Sequence, residues 1–159
     1  WSNCRMNEWT EFFVPGVQED SYRIQTNATE TQQNMDYTLK DGFFTFNTRK
    51  PTEGKKKRVA KAFLYPHKGH IVALTQKSML VMEFEALSKD QVHPEQGLVE
   101  IYNLTTENGV GGLTELEHHG AYQTIQPGES IVLEEKWQLI DLGENPSIDD
   151  CKTHYKNNY

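Results

Sequence analysis

Apolar side chains recur at every second position in several short stretches of this chain. In residues 78–85, for example, Leu80, Met82 and Phe84 fall on one face of the predicted strand. The other face has Met79, Val81, Glu83 and Glu85. Successive side chains of an extended strand point to opposite faces, so this period of two predicts half-buried β-strands. The other clear stretches of this kind are residues 98–104, 113–118 and 130–142.

Turn-forming residues separate these stretches and set the fold class. Asp41-Gly42 interrupts two aromatic runs and predicts either one bulged strand or a tight hairpin, and Pro127-Gly128 precedes the last long stretch. No helical period of convincing length occurs, although residues 146–155 have room for a turn or two. The pattern predicts an all-β fold, an antiparallel β-sandwich over residues 1–142, followed by a polar C-terminal tail, residues 143–159, without an apolar anchor.

Composition and charge narrow the function classes. The 159 residues are enough for one domain, and the formal net charge of −7 argues against sequence-independent binding to nucleic acid, which needs a basic surface. Nothing in the sequence resembles a membrane span. Neither a phosphate-binding glycine loop nor a metal-ligand motif is recognisable, so no cofactor and no metal is predicted.

One order of motifs resembles a known superfamily. Val-Glu-Ile-Tyr at 99–102 is followed by Glu-Leu-Glu at 115–117, a glycine at 120, and Gln-Pro-Gly-Glu-Ser at 126–130 leading to a strand centred on Trp137. Over residues 57–142 this order resembles the C-terminal part of the galactose-mutarotase-like β-sandwiches, in particular the DUF4380 branch. The resemblance implies a truncated sandwich or half of one, completed by a second chain or a homo-oligomer, with a carbohydrate ligand in a concave sheet groove.

Glu115 and Glu117 are the candidate catalytic residues. They lie two positions apart, so their carboxylates share one face of a strand. Mutarotases place a general base shortly before a Pro-Gly turn, and by position either glutamate corresponds, with Glu117 preferred. The alternative is that both side chains simply face solvent on an antiparallel strand.

The candidate ligand-binding residues are Glu100, Tyr102, His118 and Tyr122. Carboxylates and imidazoles hydrogen-bond sugar hydroxyls, and aromatic rings stack on sugar C–H faces. Trp137 is predicted to fill the core with its apolar neighbours rather than to bind sugar. No residue matches the acid histidine of the superfamily, so catalysis stays open. The alternative function is a non-enzymatic structural or interaction module of an extracellular assembly.

Cysteines and sequons bear on the compartment. Cys4 and Cys151 lie near opposite ends of the chain and are predicted to form a disulfide, the alternative being two free thiols in a reducing compartment. Asn27 and Asn103 each begin an Asn-x-Thr glycosylation sequon. Together these features predict an extracellular or secreted protein.

Overall fold

The computed structural model describes residues 1–7, 10–26, 32–33, 35–46, 57–105 and 112–159. These residues form twelve β-strands and one α-helix. In chain order they are β1 (Ser2–Met6), β2 (Phe12–Pro15), β3 (Tyr22–Thr26), β4 (Gln32–Gln33), β5 (Tyr37–Lys40), β6 (Phe43–Phe46), β7 (Lys57–Leu64), β8 (His70–Leu74), β9 (Ser78–Phe84), β10 (Val99–Thr105), β11 (Leu113–His118), β12 (Glu135–Asp141) and α1 (Ile148–Asn158).

The strands form two sheets that pack face to face. Sheet I has the order β1-β11-β10-β7-β3, with β4 paired to β7, and sheet II has the order β12-β9-β8-β2-β6-β5. All pairings are antiparallel except the short parallel pairing of β4 with β7. The predicted antiparallel β-sandwich is therefore confirmed.

The main core lies between the sheets and follows the predicted alternation. Sheet II contributes Leu80, Met82 and Phe84 from β9, and sheet I contributes Ile101 and Leu116 among others, all buried. Of the two alternatives predicted at Asp41-Gly42, the structure has the hairpin, which joins β5 to β6, and both turn residues have positive φ, 53° and 74°. An Asp-Gly pair tolerates that conformation, which fits the twist of the flanking strands.

A second apolar cluster covers the other face of sheet II and corrects the prediction for the C-terminal tail. Helix α1 buries Cys151 and Tyr155 against Phe13, Val72 and other sheet residues. The helix begins at a capping box: Ser147 accepts from the backbone N–H of Asp150, whose carboxylate accepts from the N–H of Ser147. The tail is therefore anchored, and its helix is eleven residues long rather than a turn or two.

The last strand is shorter than the alternation predicts. Strand β12 covers only Glu135–Asp141, because its partner β9 ends at Phe84, which pairs with Glu135. The predicted core position of Trp137 is wrong: β12 is an edge strand, and the Trp137 side chain is 51% exposed. Leu139 on the same edge is 69% exposed.

The predicted disulfide is also wrong, since Cys4 and Cys151 are free thiols. Cys4 packs against the core between the sheets, whereas Cys151 lies in the cluster under α1 on the far face of sheet II. Sheet II therefore separates the two sulfur atoms. Without this disulfide, the secreted location rests on the sequons and stays a prediction.

The two sequons differ in what the structure shows. Asn27 lies outside the described residues. Asn103 has no exposed surface, and its side-chain nitrogen donates to Thr114 Oγ1 at 2.9 Å, which leaves no room for a glycan in the folded domain. Among the described residues, no helix has the length and apolar character needed to span a bilayer.

Candidate functional site

The candidate site lies on the outer face of sheet I. In the register of β10 and β11, Glu117 is paired with Glu100 and Glu115 with Tyr102. Side chains at alternate positions, such as Ile101 and Leu116, point into the core. The period of two therefore directs these three glutamates and the tyrosine to the face opposite the core.

Glu100 is the most buried carboxylate of this face, with no exposed surface. Its Oε1 accepts a hydrogen bond from the backbone N–H of Gly97 at 2.9 Å, and its Oε2 lies 2.5 Å from Lys61 Nζ. Gly97 is needed here, because an added Cβ would lie 2.7 Å from the Val99 carbonyl oxygen. The Gln96 amide lies beside the same carboxylate and donates to Glu100 once its nitrogen is oriented toward it.

Glu117 is the second buried carboxylate and is 5% exposed. Its Oε2 accepts from Trp1 Nε1 at 2.7 Å, and its Oε1 lies 3.6 Å from the same Lys61 Nζ. Burial alone would lower the pKa of Lys61, but the hydrogen bond and charge of Glu100, together with Glu117, raise it. Lys61 is therefore a charged ammonium that forms ion pairs with both carboxylates.

His119 completes this group, directly after β11. Its Nε2 lies 3.7 Å from Glu100 Oε1, is buried, and has no hydrogen-bond partner among the described residues. Burial lowers the pKa of His119, although the charge of Glu100 opposes this. We call Glu100, Glu117, Lys61 and His119 the acidic cluster.

Glu115 and Tyr102 lie on the same face but outside the acidic cluster. Glu115 Oε1 accepts from Arg5 Nε at 3.1 Å, and the Arg5 side chain is 71% exposed. Tyr102 is half-buried and is the register partner of both Glu115 and Lys61. The two glutamates of β11 therefore have different surroundings, one in a buried cluster and one in a surface ion pair.

His118, a predicted ligand-binding residue, points the opposite way. It is 2% exposed, stacks on Phe84 at 4.2 Å between ring centroids, and pairs with Glu135 through a 2.8 Å contact from Nε2. Burial lowers its pKa, and the hydrogen bond and charge of Glu135 oppose that shift. His118 bridges the two sheets, and its neighbour His119 joins the glutamates instead.

A cavity of about 300 Å³ adjoins the acidic cluster through Trp1 and His119. Its wall also contains Tyr122 and His93, whose rings meet edge to face at 4.6 Å, and Gln123. Trp1 and Tyr122 are 70% and 63% exposed. A neighbouring cavity of about 450 Å³ shares His119 and is lined in addition by His118.

The sequence-based selection of site residues did not include three members of this region. Lys61 lies in a strand with ordinary alternation, Trp1 precedes the first clear pattern, and His119 is one position past the end of β11. The position of Lys61 was not predictable, because the pairing of β7 with β10 is not visible in either strand alone. One sequence signal could have favoured His119 over His118 as the neighbour of the glutamates: alternation puts His118 on the face opposite Glu117.

The fold and the site together define an antiparallel β-sandwich domain with a buried acidic cluster on one outer sheet face. Residues 1–140 match DUF4380, described as a domain of unknown function. The chain belongs to this family, and the match includes the N-terminal strands that lay outside the resemblance over residues 57–142. No curated protein and no solved structure gives a significant match to the chain.

Proposed function

We propose that this chain is a carbohydrate-binding domain whose ligand lies in the cavity beside Trp1, His119 and Tyr122. The observation that carries the proposal is the presence of two largely exposed aromatic rings, Trp1 and Tyr122, in the wall of one cavity. An exposed indole or phenol ring offers a flat apolar surface with a polar edge. Sugar rings present matching C–H faces, with hydroxyl groups around them.

Polar groups around the same cavity support this choice. His93, His119 and Gln123 provide hydrogen-bonding atoms beside the aromatic rings. The cavity volume of about 300 Å³ is at the lower end of the range usual for small-molecule sites. A cavity of this volume fits one sugar residue better than a long chain. We therefore expect a monosaccharide, or one residue of a longer glycan, to occupy the cavity.

The proposal is limited to binding. Glu117 Oε2 is engaged by Trp1, and its Oε1 faces Lys61, so the carboxylate positions the indole ring rather than contacting a sugar. The proposal includes a distant relationship to the galactose-mutarotase-like sandwiches, supported by two antiparallel sheets with glutamates on one outer face. It also includes an extracellular location, supported by the sequon at Asn27.

Titration of the isotope-labelled protein with a panel of monosaccharides and short glycans tests the proposal. We expect shifts in the NMR signals of His119 and Tyr122 and a weaker affinity, by roughly 3- to 10-fold, in Trp1→Ala and Tyr122→Ala. Trp137→Ala is the matched control, because Trp137 is also an exposed tryptophan but does not line the cavity. A panel without any binder, or equal losses in all three variants, would contradict the proposal.

A second candidate is an interaction module that binds another copy of this chain. The observation that favours it is the exposed apolar edge of sheet II, where Trp137 and Leu139 of β12 are 51% and 69% exposed. An edge strand with unpaired backbone groups and apolar side chains is a template for pairing. Light scattering over a concentration series should then show a dimer that Trp137→Ser with Leu139→Ser converts to a monomer. A wild-type monomer at every concentration removes this candidate.

A further inference from the structure

We propose that Glu100, Glu117 and His119 form a binding site for a divalent transition-metal ion of the zinc class. The ligand atoms of the three side chains lie within 4.8 Å of one another. Two come from paired positions on β10 and β11, and the third follows β11 directly, so the sheet itself fixes their spacing. Carboxylate oxygen and imidazole nitrogen are both common zinc ligands, and three protein ligands leave one position open for water or substrate.

The charge balance of the acidic cluster is the first argument. Glu100 and Glu117 are 0% and 5% exposed, and among the described residues Lys61 is the lysine or arginine that contacts them. Two carboxylates and one ammonium leave these side chains with a net charge of −1. Burying net charge is costly even where each carboxylate is hydrogen-bonded, so the cluster favours a second positive charge or a doubly charged ion in place of the ammonium.

The unpartnered nitrogen of His119 is the second and independent argument. Nε2 is buried, lacks a hydrogen-bond partner among the described residues, and faces Glu100 Oε1 at 3.7 Å. Leaving a buried polar atom unpaired costs free energy, and such an atom in a folded protein calls for an explanation. An imidazole nitrogen that faces one buried carboxylate and lies within 4.8 Å of a second is an arrangement that suits a metal ion.

Metal binding requires the Lys61 side chain to move away from the two carboxylates. Zinc binds oxygen and nitrogen at about 2.0–2.2 Å, which puts two tetrahedral ligands about 3.4 Å apart, so the three side chains must close by roughly 1 Å. The Lys61 ammonium now lies against Glu100, but the side chain is 31% exposed and can rotate into solvent. We therefore expect an exchange in which the metal ion displaces Lys61 and leaves the two carboxylates and the ion without net charge.

The metal site does not depend on the carbohydrate proposal, although His119 belongs to both. Zinc titrations are done without sugar, and sugar titrations are repeated with a chelator present. Loss of zinc binding with retained sugar binding would overturn only the metal site. The reverse result would overturn only the carbohydrate proposal.

Calorimetric titration of the chelator-treated protein with Zn²⁺ is the direct test, with Co²⁺ as a spectroscopic probe. We expect one site per chain and visible Co²⁺ absorption bands without a thiolate charge-transfer band, because all three ligands are oxygen or nitrogen donors. Absence of binding, or a thiolate band that assigns the ion to Cys4 or Cys151, overturns the site.

Variants distinguish a metal site from an ion-pair network. His119→Asn and Glu117→Gln should lower zinc affinity by at least about 10-fold, as expected for loss of a ligand. Glu115→Gln and His93→Asn are the matched controls, a neighbouring carboxylate and a neighbouring imidazole outside the cluster, and should change it less than about 2-fold.

The Lys61→Met variant is expected to bind zinc more tightly rather than more weakly. Misfolding would weaken binding, so it cannot produce this result. Removal of the competing ammonium should raise zinc affinity by about 10-fold, because an adjacent like charge opposes cation binding. A folded Lys61→Met protein, checked by circular dichroism, that binds zinc no more tightly than the wild type would overturn the exchange. Equal affinity in His119→Asn and the wild type would overturn the site.

Discussion

Lys61 Nζ and Glu100 Oε2 lie 2.5 Å apart, and the carboxylate of this pair has no exposed surface. The two residues occupy diagonal positions on neighbouring strands, since Glu100 is the register partner of Phe63 and Lys61 that of Tyr102. Diagonal neighbours on one sheet face are within reach of long side chains. The ion pair therefore links β7 and β10 on the outer face and fixes the carboxylate on which the acidic cluster is built.

We predict that Lys61→Met destabilises the domain by about 2–3 kcal/mol. The substitution leaves Glu100 buried with less compensation for its charge, and the expected loss is at the low end for buried pairs because Lys61 is 31% exposed. Chemical denaturation of both proteins gives the difference in unfolding free energy.

A double variant and a surface control separate the charge effect from general loss of packing. Lys61→Met with Glu100→Gln should recover part of the lost stability, because the uncompensated carboxylate is gone. Arg5→Met, which removes the ion pair with Glu115 at a largely exposed site, should change stability by less than about 0.5 kcal/mol. Equal losses in Lys61→Met and Arg5→Met would mean that burial of the pair has no energetic weight.

The faces of the central strands were predictable, because they follow from the period of two alone. Leu80, Met82 and Phe84 point into the core as the alternation predicts, and Glu115 and Glu117 share the opposite side of sheet I from Leu116. Strand β1 was not predicted. Its sequence is mostly polar, and it is a strand because β11 supplies a complete set of backbone partners, from Ser2 opposite His118 to Met6 opposite Thr114.

The composition of the candidate site was only partly predictable. Alternation identifies which residues share a face within a strand, but it does not identify which strand lies beside it. Lys61 is 39 residues before Glu100 in the chain, and Trp1 is 116 residues before Glu117, so both contacts depend on the tertiary fold. The predicted core position of Trp137 was wrong for the same reason, since alternation gives the face of the strand on which it lies but not its place at the sheet edge.

We predict that Tyr155→Ala lowers the free energy of unfolding by about 3 kcal/mol or more. Tyr155 is 2% exposed and packs edge to face on Phe13 and Phe43, so its removal leaves a cavity between α1 and sheet II. Thermal unfolding should show the loss. Asn157→Ala on the exposed side of the same helix is the control and should stay within about 0.5 kcal/mol of the wild type. A small effect of Tyr155→Ala would mean that α1 does not contribute to the stability of the sandwich.

We predict two free but poorly reactive thiols in the native protein. Burial raises the pKa of Cys151 to about 11, and burial with the nearby charge of Glu135 raises the pKa of Cys4. The thiolate is the reactive form, so both cysteines should react slowly with a thiol reagent at pH 8. Denaturant should release two reactive thiols per chain without any reductant. Fewer than two would indicate a disulfide and contradict the separation of the sulfur atoms by sheet II.

The last prediction concerns His70, which lies under α1 and sets a pH dependence of stability. Its Nδ1 is 2.5 Å from Tyr155 Oη in a hydrogen bond, and burial raises the pKa of Tyr155 to about 12, so the tyrosine keeps its proton at neutral pH. Burial lowers the pKa of His70 below its ordinary 6.5; Glu83 opposes this shift, and Lys68 and Lys136 add to it. The folded protein therefore favours the neutral imidazole.

The sign of the effect follows from the protons bound in each state. Below pH 6.5 the unfolded chain binds a proton at His70 that the folded protein resists, so stability should fall as the pH decreases from 7.5 to 5.5. His70→Gln keeps a polar side chain near Tyr155 but removes the titrating group, and its unfolding free energy should depend less steeply on pH. His118 and His119 also have lowered pKa values, so part of the slope should remain in this variant. Parallel pH profiles of His70→Gln and the wild type would show that His70 does not link protonation to the docking of α1.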